Sequence, residues 1–130
     1  YADAHLNLAN ALFEKGQYAE ALGSYQASLK LEETTTALVY LGRAYAVTGN
    51  HKEALGILDK LEITKKYVSP AEAAILYAAL GERQKAFDWL EKAFDEGDFH
   101  LTSLKVNPAF DPLRDDPRFK ELLKRLNLPE

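Results

Sequence analysis

The feature that most constrains this chain is an internal repeat of 32 or 33 residues. Gly16, Gly49 and Gly81 are separated by 33 and then by 32 residues. Further columns keep the same spacing, namely Ala21, Ala54 and Ala86, then Tyr25, Leu58 and Leu90, then Leu12, Tyr45 and Tyr77. A period of this length is typical of proteins built from stacked supersecondary units that bury their apolar faces against one another.

Each unit has the pattern of two amphipathic helices around a glycine turn. In the first unit, apolar residues recur at helical spacing on both sides of Gly16, at Leu8, Ala9, Leu12, Ala21, Leu22, Tyr25 and Leu29. Glycine can adopt positive φ, which ends one helix and allows a tight return. The small alanine of each second helix predicts a close crossing between the two helices, where a larger residue would overpack.

The third unit begins with a helix-start signal. Ser69 is the predicted N-cap, Pro70 occupies the first helical position and Glu72 completes a capping box. The sequence therefore predicts an all-α protein of three helix pairs, with a different segment after residue 98.

These units resemble tetratricopeptide repeats. The resemblance is carried by AHLNLANALFEKGQYAEALGSYQASLKL, by VYLGRAYAVTGNHKEALGIL and, more loosely, by AAILYAALGERQKAFDWLEKAF. In the third stretch, Ala73 and Ala74 stand where the family often has Leu and Gly. All three stretches lack the large aromatic residue that the family has near the start of the first helix, and those places hold His5, Leu38 and Pro70. The resemblance implies one domain over 1–130, a right-handed α-solenoid of repeats 2–34, 35–66 and 67–98, with the first helices lining a concave groove.

The segment 99–130 is predicted to form a short helical cap. It contains four of the five prolines, which divide it into short pieces. Asp116 before Pro117 predicts a last helix that ends near Leu126. We expect the cap to cover the last repeat with Leu101, Leu104, Val106, Phe110 and Leu113. The whole ending resembles the tetratricopeptide regions of bacterial multidomain signalling proteins, which include kinases, winged-helix regulators and nucleotide cyclases.

Composition narrows the possible functions. The formal net charge of −4 argues against a nucleic-acid surface, which normally has a basic excess. No apolar run reaches the roughly 20 residues that span a bilayer, and there is no cysteine. Because the chain begins with Tyr1 and lacks methionine, we expect a processed chain or a fragment. A cytoplasmic location is expected, with an extracytoplasmic one left open.

No residue pattern in the sequence predicts catalysis, a metal site or a cofactor. His5, His51 and His100 lack a second ligand at helical spacing. The polar run of Asp95, Glu96, Asp98 and His100 is interpreted as a helix end, an exposed turn around Gly97 and a cap for a following short helix. Trp89, the only tryptophan, is predicted to lie beneath the cap, although a role in ligand contact stays open.

Helix geometry places a candidate partner site on the first helices of the three units. Its predicted members are Asn7, Asn10, Tyr40, Arg43, Val47, Glu72 and Ile75. Asparagine donates and accepts hydrogen bonds and suits a peptide backbone, and arginine suits a carboxylate. Relatives that bind chaperone tails hold the terminal carboxylate with Lys, Asn, Asn, Lys and Arg. The corresponding positions here are Leu6, Asn10, Tyr40, Val68 and Glu72, so that ligand class is rejected.

The sequence thus predicts a non-catalytic scaffold that binds a partner protein or peptide in the concave groove, as part of a larger bacterial signalling protein. The alternative is a structural domain for self-association, such as a homodimer, or a spacer. No nucleic acid or membrane insertion is expected.

Overall fold

The computed structural model describes residues 2–126 as an all-helical chain. Three antiparallel helix pairs follow one another, which confirms the predicted fold class. They are α1 (Ala2–Glu14) with α2 (Tyr18–Leu31), α3 (Thr35–Val47) with α4 (His51–Ile63), and α5 (Pro70–Ala79) with α6 (Arg83–Glu96). Two short 3₁₀ helices, Phe99–Ser103 and Pro108–Leu113, precede α7 (Pro117–Arg125). Residues 127–130 of the predicted cap lie outside the described residues.

The chain divides into two compact units, which we call unit 1 (Tyr1–Val68) and unit 2 (Ser69–Glu130). Unit 1 contains the first two helix pairs, and unit 2 contains the third pair with the cap. Unit 2 begins two residues after residue 67, the predicted start of the third repeat. The sequence-based expectation of a single domain over 1–130 stays a prediction.

The same turn joins the helices of every pair. Gly16, Gly49 and Gly81 all have a positive φ of 80 to 85°. In each turn the N–H of the residue after glycine donates to a carbonyl five positions earlier, that of Leu12, Tyr45 or Tyr77. This is the Schellman arrangement, in which left-handed backbone at glycine satisfies the last carbonyls of a helix. The repeated glycine column therefore encodes the pairing of the helices.

A compact core holds unit 1 together. It consists of the buried residues Ala9, Phe13, Ala21, Tyr25, Leu41 and Ala44. Ala21 and Ala54, the predicted crossing residues of this unit, are both 0% exposed. Leu8, by contrast, is 51% exposed, so the predicted apolar stripe of α1 is wrong at this residue.

Unit 2 is organised around α5, whose residues Pro70–Ala78 are all buried. The two 3₁₀ helices pack against α5. Residues Leu101, Leu104, Phe110, Leu113, Phe119, Leu122 and Leu123 of the cap are 5% exposed or less. The cap therefore covers the third pair, as predicted, except that Val106 is 74% exposed. Two predicted N-caps are confirmed. The Ser69 side chain caps α5 by accepting from the Glu72 N–H, and the Asp116 side chain caps α7 by accepting from the Arg118 N–H.

The cap retains the period of the repeats. The second helices α2, α4 and α6 begin at Tyr18, His51 and Arg83, and α7 begins 34 residues after α6, at Pro117. Helix α7 runs in the same direction as α6, because Arg118 binds Gln84 at 2.9 Å and Arg125 binds Glu91 at 2.5 Å. We interpret α7 as the second helix of a degenerate fourth unit, in which two 3₁₀ helices replace the first helix.

Candidate functional site

The structure brings five of the seven predicted site residues together in unit 1. Asn7 and Asn10 lie on α1, whereas Tyr40, Arg43 and Val47 lie on α3. We call this surface the α1–α3 face. Asn7 and Val47 are exposed, and Asn10, Tyr40 and Arg43 are partly buried. The partly buried residues form the centre of this face, and the exposed Asn7 and Val47 lie at its edge.

The centre of the α1–α3 face is built on Tyr25 of α2. Its side chain is 0% exposed, and its hydroxyl donates to Oδ1 of Asn10. Burial is the main cause that raises the pKa of Tyr25 above its usual value, whereas Arg43 opposes the rise. The phenol therefore keeps its proton and donates it. Because Oδ1 of Asn10 is the acceptor, the amide nitrogen of Asn10 is oriented away from Tyr25 as a donor.

Arg43 is held in place by two neighbours on α1. Its guanidinium carbon lies 4.3 Å from the centre of the Phe13 ring, a cation–π arrangement. Both terminal nitrogens lie 3.2 Å from Oε1 of Glu14. The Arg43 side chain is 11% exposed, and that of Glu14 is 45% exposed. The charge expected to be available for a ligand carboxylate is thus already paired with a more exposed carboxylate of the same chain.

Glu72 and Ile75 differ from the prediction. They lie on α5 of unit 2 and are only 4% and 2% exposed, so they do not present the accessible side chains that partner binding needs. The physical reason is that the 3₁₀ helices of the cap pack on α5. One contact from the cap is specific, since Nε2 of His100 lies 3.9 Å from Oε2 of Glu72.

Sequence reasoning missed Tyr25 as a site residue because it was counted with the apolar column of Leu58 and Leu90. A signal was present, because a tyrosine at a buried position needs a partner for its hydroxyl. Trp89 was also misjudged. It is partly exposed, its ring stacks on Tyr77 at 6.3 Å between centroids, and Nζ of Lys92 lies 4.8 Å from its ring centre.

A second polar cluster lies in unit 2 around Asp98. Its Oδ2 accepts from the Ser69 hydroxyl at 2.5 Å and from the Ala71 N–H at 3.1 Å. Its Oδ1 accepts from the His100 N–H at 3.0 Å and lies 2.9 Å from Nδ1 of His100. The predicted cap of the next short helix is confirmed. The turn around Gly97 is exposed, as predicted, whereas the capping side chain of Asp98 is 3% exposed.

The Asp98 carboxylate ties the start of α5 to the start of the cap. Burial alone would raise its pKa, but the hydrogen bonds from Ser69, Ala71 and His100 together outweigh burial and lower the pKa. A lowered pKa in the folded state means that the ionised form stabilises the fold. This cluster is structural, and within residues 2–126 there is no group of three or more His, Cys, Asp or Glu arranged to hold a metal ion.

We expect Asp98→Asn to destabilise unit 2 by about 1.5–3 kcal/mol at pH 7, because a charged acceptor of several hydrogen bonds is lost. Since the folded pKa is lowered, the contribution is present above the unfolded pKa and disappears as the pH falls through the folded value. Urea denaturation at pH 7 and at pH 3 measures the difference between variant and wild type. A difference that does not shrink in acid would contradict the assignment.

Comparison with known proteins supports the repeat assignment. Residues 6–68 match the family model described as tetratricopeptide repeat. No curated protein sequence matches the chain significantly. None of the helices within residues 2–126 is both long and apolar enough to span a bilayer. The matched region contains most of α1 and all of α2 to α4. The first two helix pairs of the chain are therefore similar to tetratricopeptide repeats.

Proposed function

We propose that the chain is a non-catalytic scaffold that binds a partner protein or peptide on the α1–α3 face. Tetratricopeptide repeats generally mediate protein–protein interaction, and the family is a non-catalytic interaction fold. The observation that carries the proposal is the buried Tyr25 hydroxyl that fixes Asn10 beside the Arg43–Glu14 pair. A preorganised polar centre reduces the entropy lost when a partner binds.

The chemistry of the α1–α3 face suits a peptide in an extended form. The amide of Asn10 is available to donate to a backbone carbonyl, and exposed Asn7 can both donate and accept. Val47, 48% exposed, offers an apolar contact at the edge. Arg43 retains N–H groups that Glu14 does not use, so an acidic group of the partner can join or replace Glu14. The net charge of −4 opposes an acidic partner at long range, so we expect modest affinity.

The wider context is also part of the proposal. The resemblance of the ending, from Trp89 to Phe119, supports a place in a larger bacterial signalling polypeptide, in the cytoplasm. The acidic net charge supports a protein partner over nucleic acid. Sequencing the source gene tests this part of the proposal directly, because a kinase, cyclase or DNA-binding domain encoded in the same reading frame supports it.

One observation favours self-association as a second candidate function. Unit 1 exposes several large apolar side chains, which are Leu8, Leu31, Leu55, Ile63 and Tyr67, all at least 51% exposed. Exposed apolar side chains mark protein interfaces where they form a contiguous patch, and a second copy of the chain would cover such a patch. Measuring the mass in solution across a dilution series distinguishes the two, since a dimer that persists at nanomolar concentration supports self-association.

The double variant Asn7→Ala/Arg43→Ala tests the α1–α3 face. A partner is first captured from an extract of the source cells with the wild-type chain and then purified. We expect the double variant to bind it roughly tenfold to a hundredfold more weakly, because a charge-assisted contact is worth about 1.5–3 kcal/mol. Isothermal titration calorimetry measures the affinity, and urea denaturation checks that the variant is folded.

A matched control is Gln17→Ala/Lys52→Ala, which removes one amide and one cation from exposed positions of unit 1 outside the α1–α3 face. We expect this control to bind as the wild type does. Equal affinity of all three proteins for the captured partner would place the binding site elsewhere on the chain.

A further inference from the structure

Unit 2 contains a small depression that is separate from the α1–α3 face of unit 1. We call it the cap depression and define it by Lys105, Arg114, Phe119, Lys120 and Leu123. Its volume is about 230 Å³. This is below the roughly 300–1,000 Å³ of typical small-molecule sites, and it suits one large side chain of a peptide.

The floor of the depression is formed by two apolar side chains of α7 that lie one helical turn apart. Phe119 is 2% exposed, and Leu123 is 5% exposed. The result is an apolar floor at the surface of the cap.

Arg114 forms a fixed wall of the cap depression. Its Nε lies 2.6 Å from Oδ1 of Asp111, and its terminal nitrogens donate to the carbonyls of Lys105 and Asn107 at 2.6 and 2.9 Å. Its guanidinium carbon lies 5.4 Å from the centre of the Phe119 ring. These contacts hold the wall in one conformation before any ligand arrives.

The rim of the cap depression carries two lysines that have no acidic partner. Neither Lys105 nor Lys120 forms an ion pair or a side-chain hydrogen bond within residues 2–126, and both are exposed. The other cations of α7 are engaged, since Arg118 binds Asp116 and Arg125 binds Glu91. Val106, next to Lys105, is 74% exposed. Free cations around an apolar floor are complementary to an apolar side chain that is flanked by carboxylates.

We propose that the cap depression binds an acidic segment of a partner protein, with one apolar side chain over Phe119 and Leu123 and flanking carboxylates on Lys105 and Lys120. The chain then has two interaction surfaces, one in each compact unit. This proposal does not depend on the function proposed for the α1–α3 face, because the two surfaces share no residue.

The test uses the full chain labelled with ¹⁵N and the peptide acetyl-Glu-Asp-Phe-Asp-Glu-amide as the probe. We expect its addition to shift the backbone amide signals of Lys105, Val106, Lys120 and Leu123 in a saturable manner. Lys105→Ala/Lys120→Ala is expected to raise the Kd by about fivefold, since exposed charge pairs contribute modestly. Added salt is expected to weaken binding, because exposed charges are screened.

The control variant Lys85→Ala/Lys92→Ala removes the same charge from exposed positions of α6, outside the cap depression. It is expected to keep the affinity within a factor of about two, since the charge contacts removed are remote. A control peptide with Ser in place of the central Phe is expected to bind more weakly. The proposal is overturned if both double variants lose affinity equally, if the two peptides bind alike, or if millimolar peptide shifts none of these signals. Hexanoate that binds there more tightly than the peptide would assign the depression to a small carboxylate instead.

Discussion

Phe110→Ala is expected to destabilise unit 2 by about 3–5 kcal/mol. Phe110 is 1% exposed and lies on the second 3₁₀ helix, which packs against α5. Removing the ring leaves a cavity where the cap meets the third helix pair, and a small unit has little stability to lose. A loss of this size lowers the melting temperature by roughly 15 °C or more.

Trp89 makes this prediction measurable for unit 2 alone, because it is the only tryptophan of the chain and lies on α6. Its fluorescence during urea denaturation follows the unfolding of this unit. Val106→Ala is the matched control, since Val106 belongs to the same segment and is 74% exposed. Deleting residues 99–130 removes the whole cap and is expected to be more severe. If Phe110→Ala and Val106→Ala shift the transition equally, the cap does not stabilise the third pair.

The sequence was sufficient to predict the helix pairs because each pair is determined locally. Gly16, Gly49 and Gly81 adopt the positive φ that glycine permits at low cost. The turn fixes the end of one helix and the start of the next within a few residues. Helical periodicity then decides which side chains are buried, and Ala21, Ala54 and Ala86 are all 0% exposed.

The first part of the cap was predicted less accurately than its last helix, because the two short pieces of that part are 3₁₀ and not α-helical. A 3₁₀ helix has about three residues per turn, so the periodicity of an α-helix does not apply. The buried residues Leu101 and Leu104 were recognised from their apolar character. Val106 has the same character but follows the first 3₁₀ helix in a turn, and its side chain is exposed.

The candidate site shows a different limit of sequence reasoning. Helix geometry placed Asn10 and Arg43 on adjacent first helices, and both side chains lie close to Tyr25. It did not reveal that Glu14 already binds Arg43, because a pairing between side chains 29 positions apart depends on rotamers. It also failed for Glu72 and Ile75, because the 3₁₀ helices that pack on α5 follow it in the chain and do not have the α-helical pattern of a first helix.

Ala54→Leu is expected to destabilise unit 1 by about 1–3 kcal/mol. Ala54 is 0% exposed and lies on α4, which packs against α3. The other members of its column, Ala21 and Ala86, are equally buried, so the small side chain is a property of the helix crossing. The longer side chain of leucine must either displace α4 from α3 or adopt a strained rotamer, and both options cost packing energy.

The matched control is Ala11→Leu, the same substitution at an exposed position of α1. Its free energy of unfolding is expected to stay within about 0.5 kcal/mol of the wild type, because substitutions at exposed positions usually change stability little. The helix propensities of Ala and Leu are also similar. Far-UV circular dichroism in urea gives the stability of both variants, and hydrogen exchange locates the loss. We expect faster exchange of the amides of α3 and α4 in Ala54→Leu alone. If both variants behave alike, the alanine column does not mark a close crossing, and the period would have to be explained by the glycine turns only.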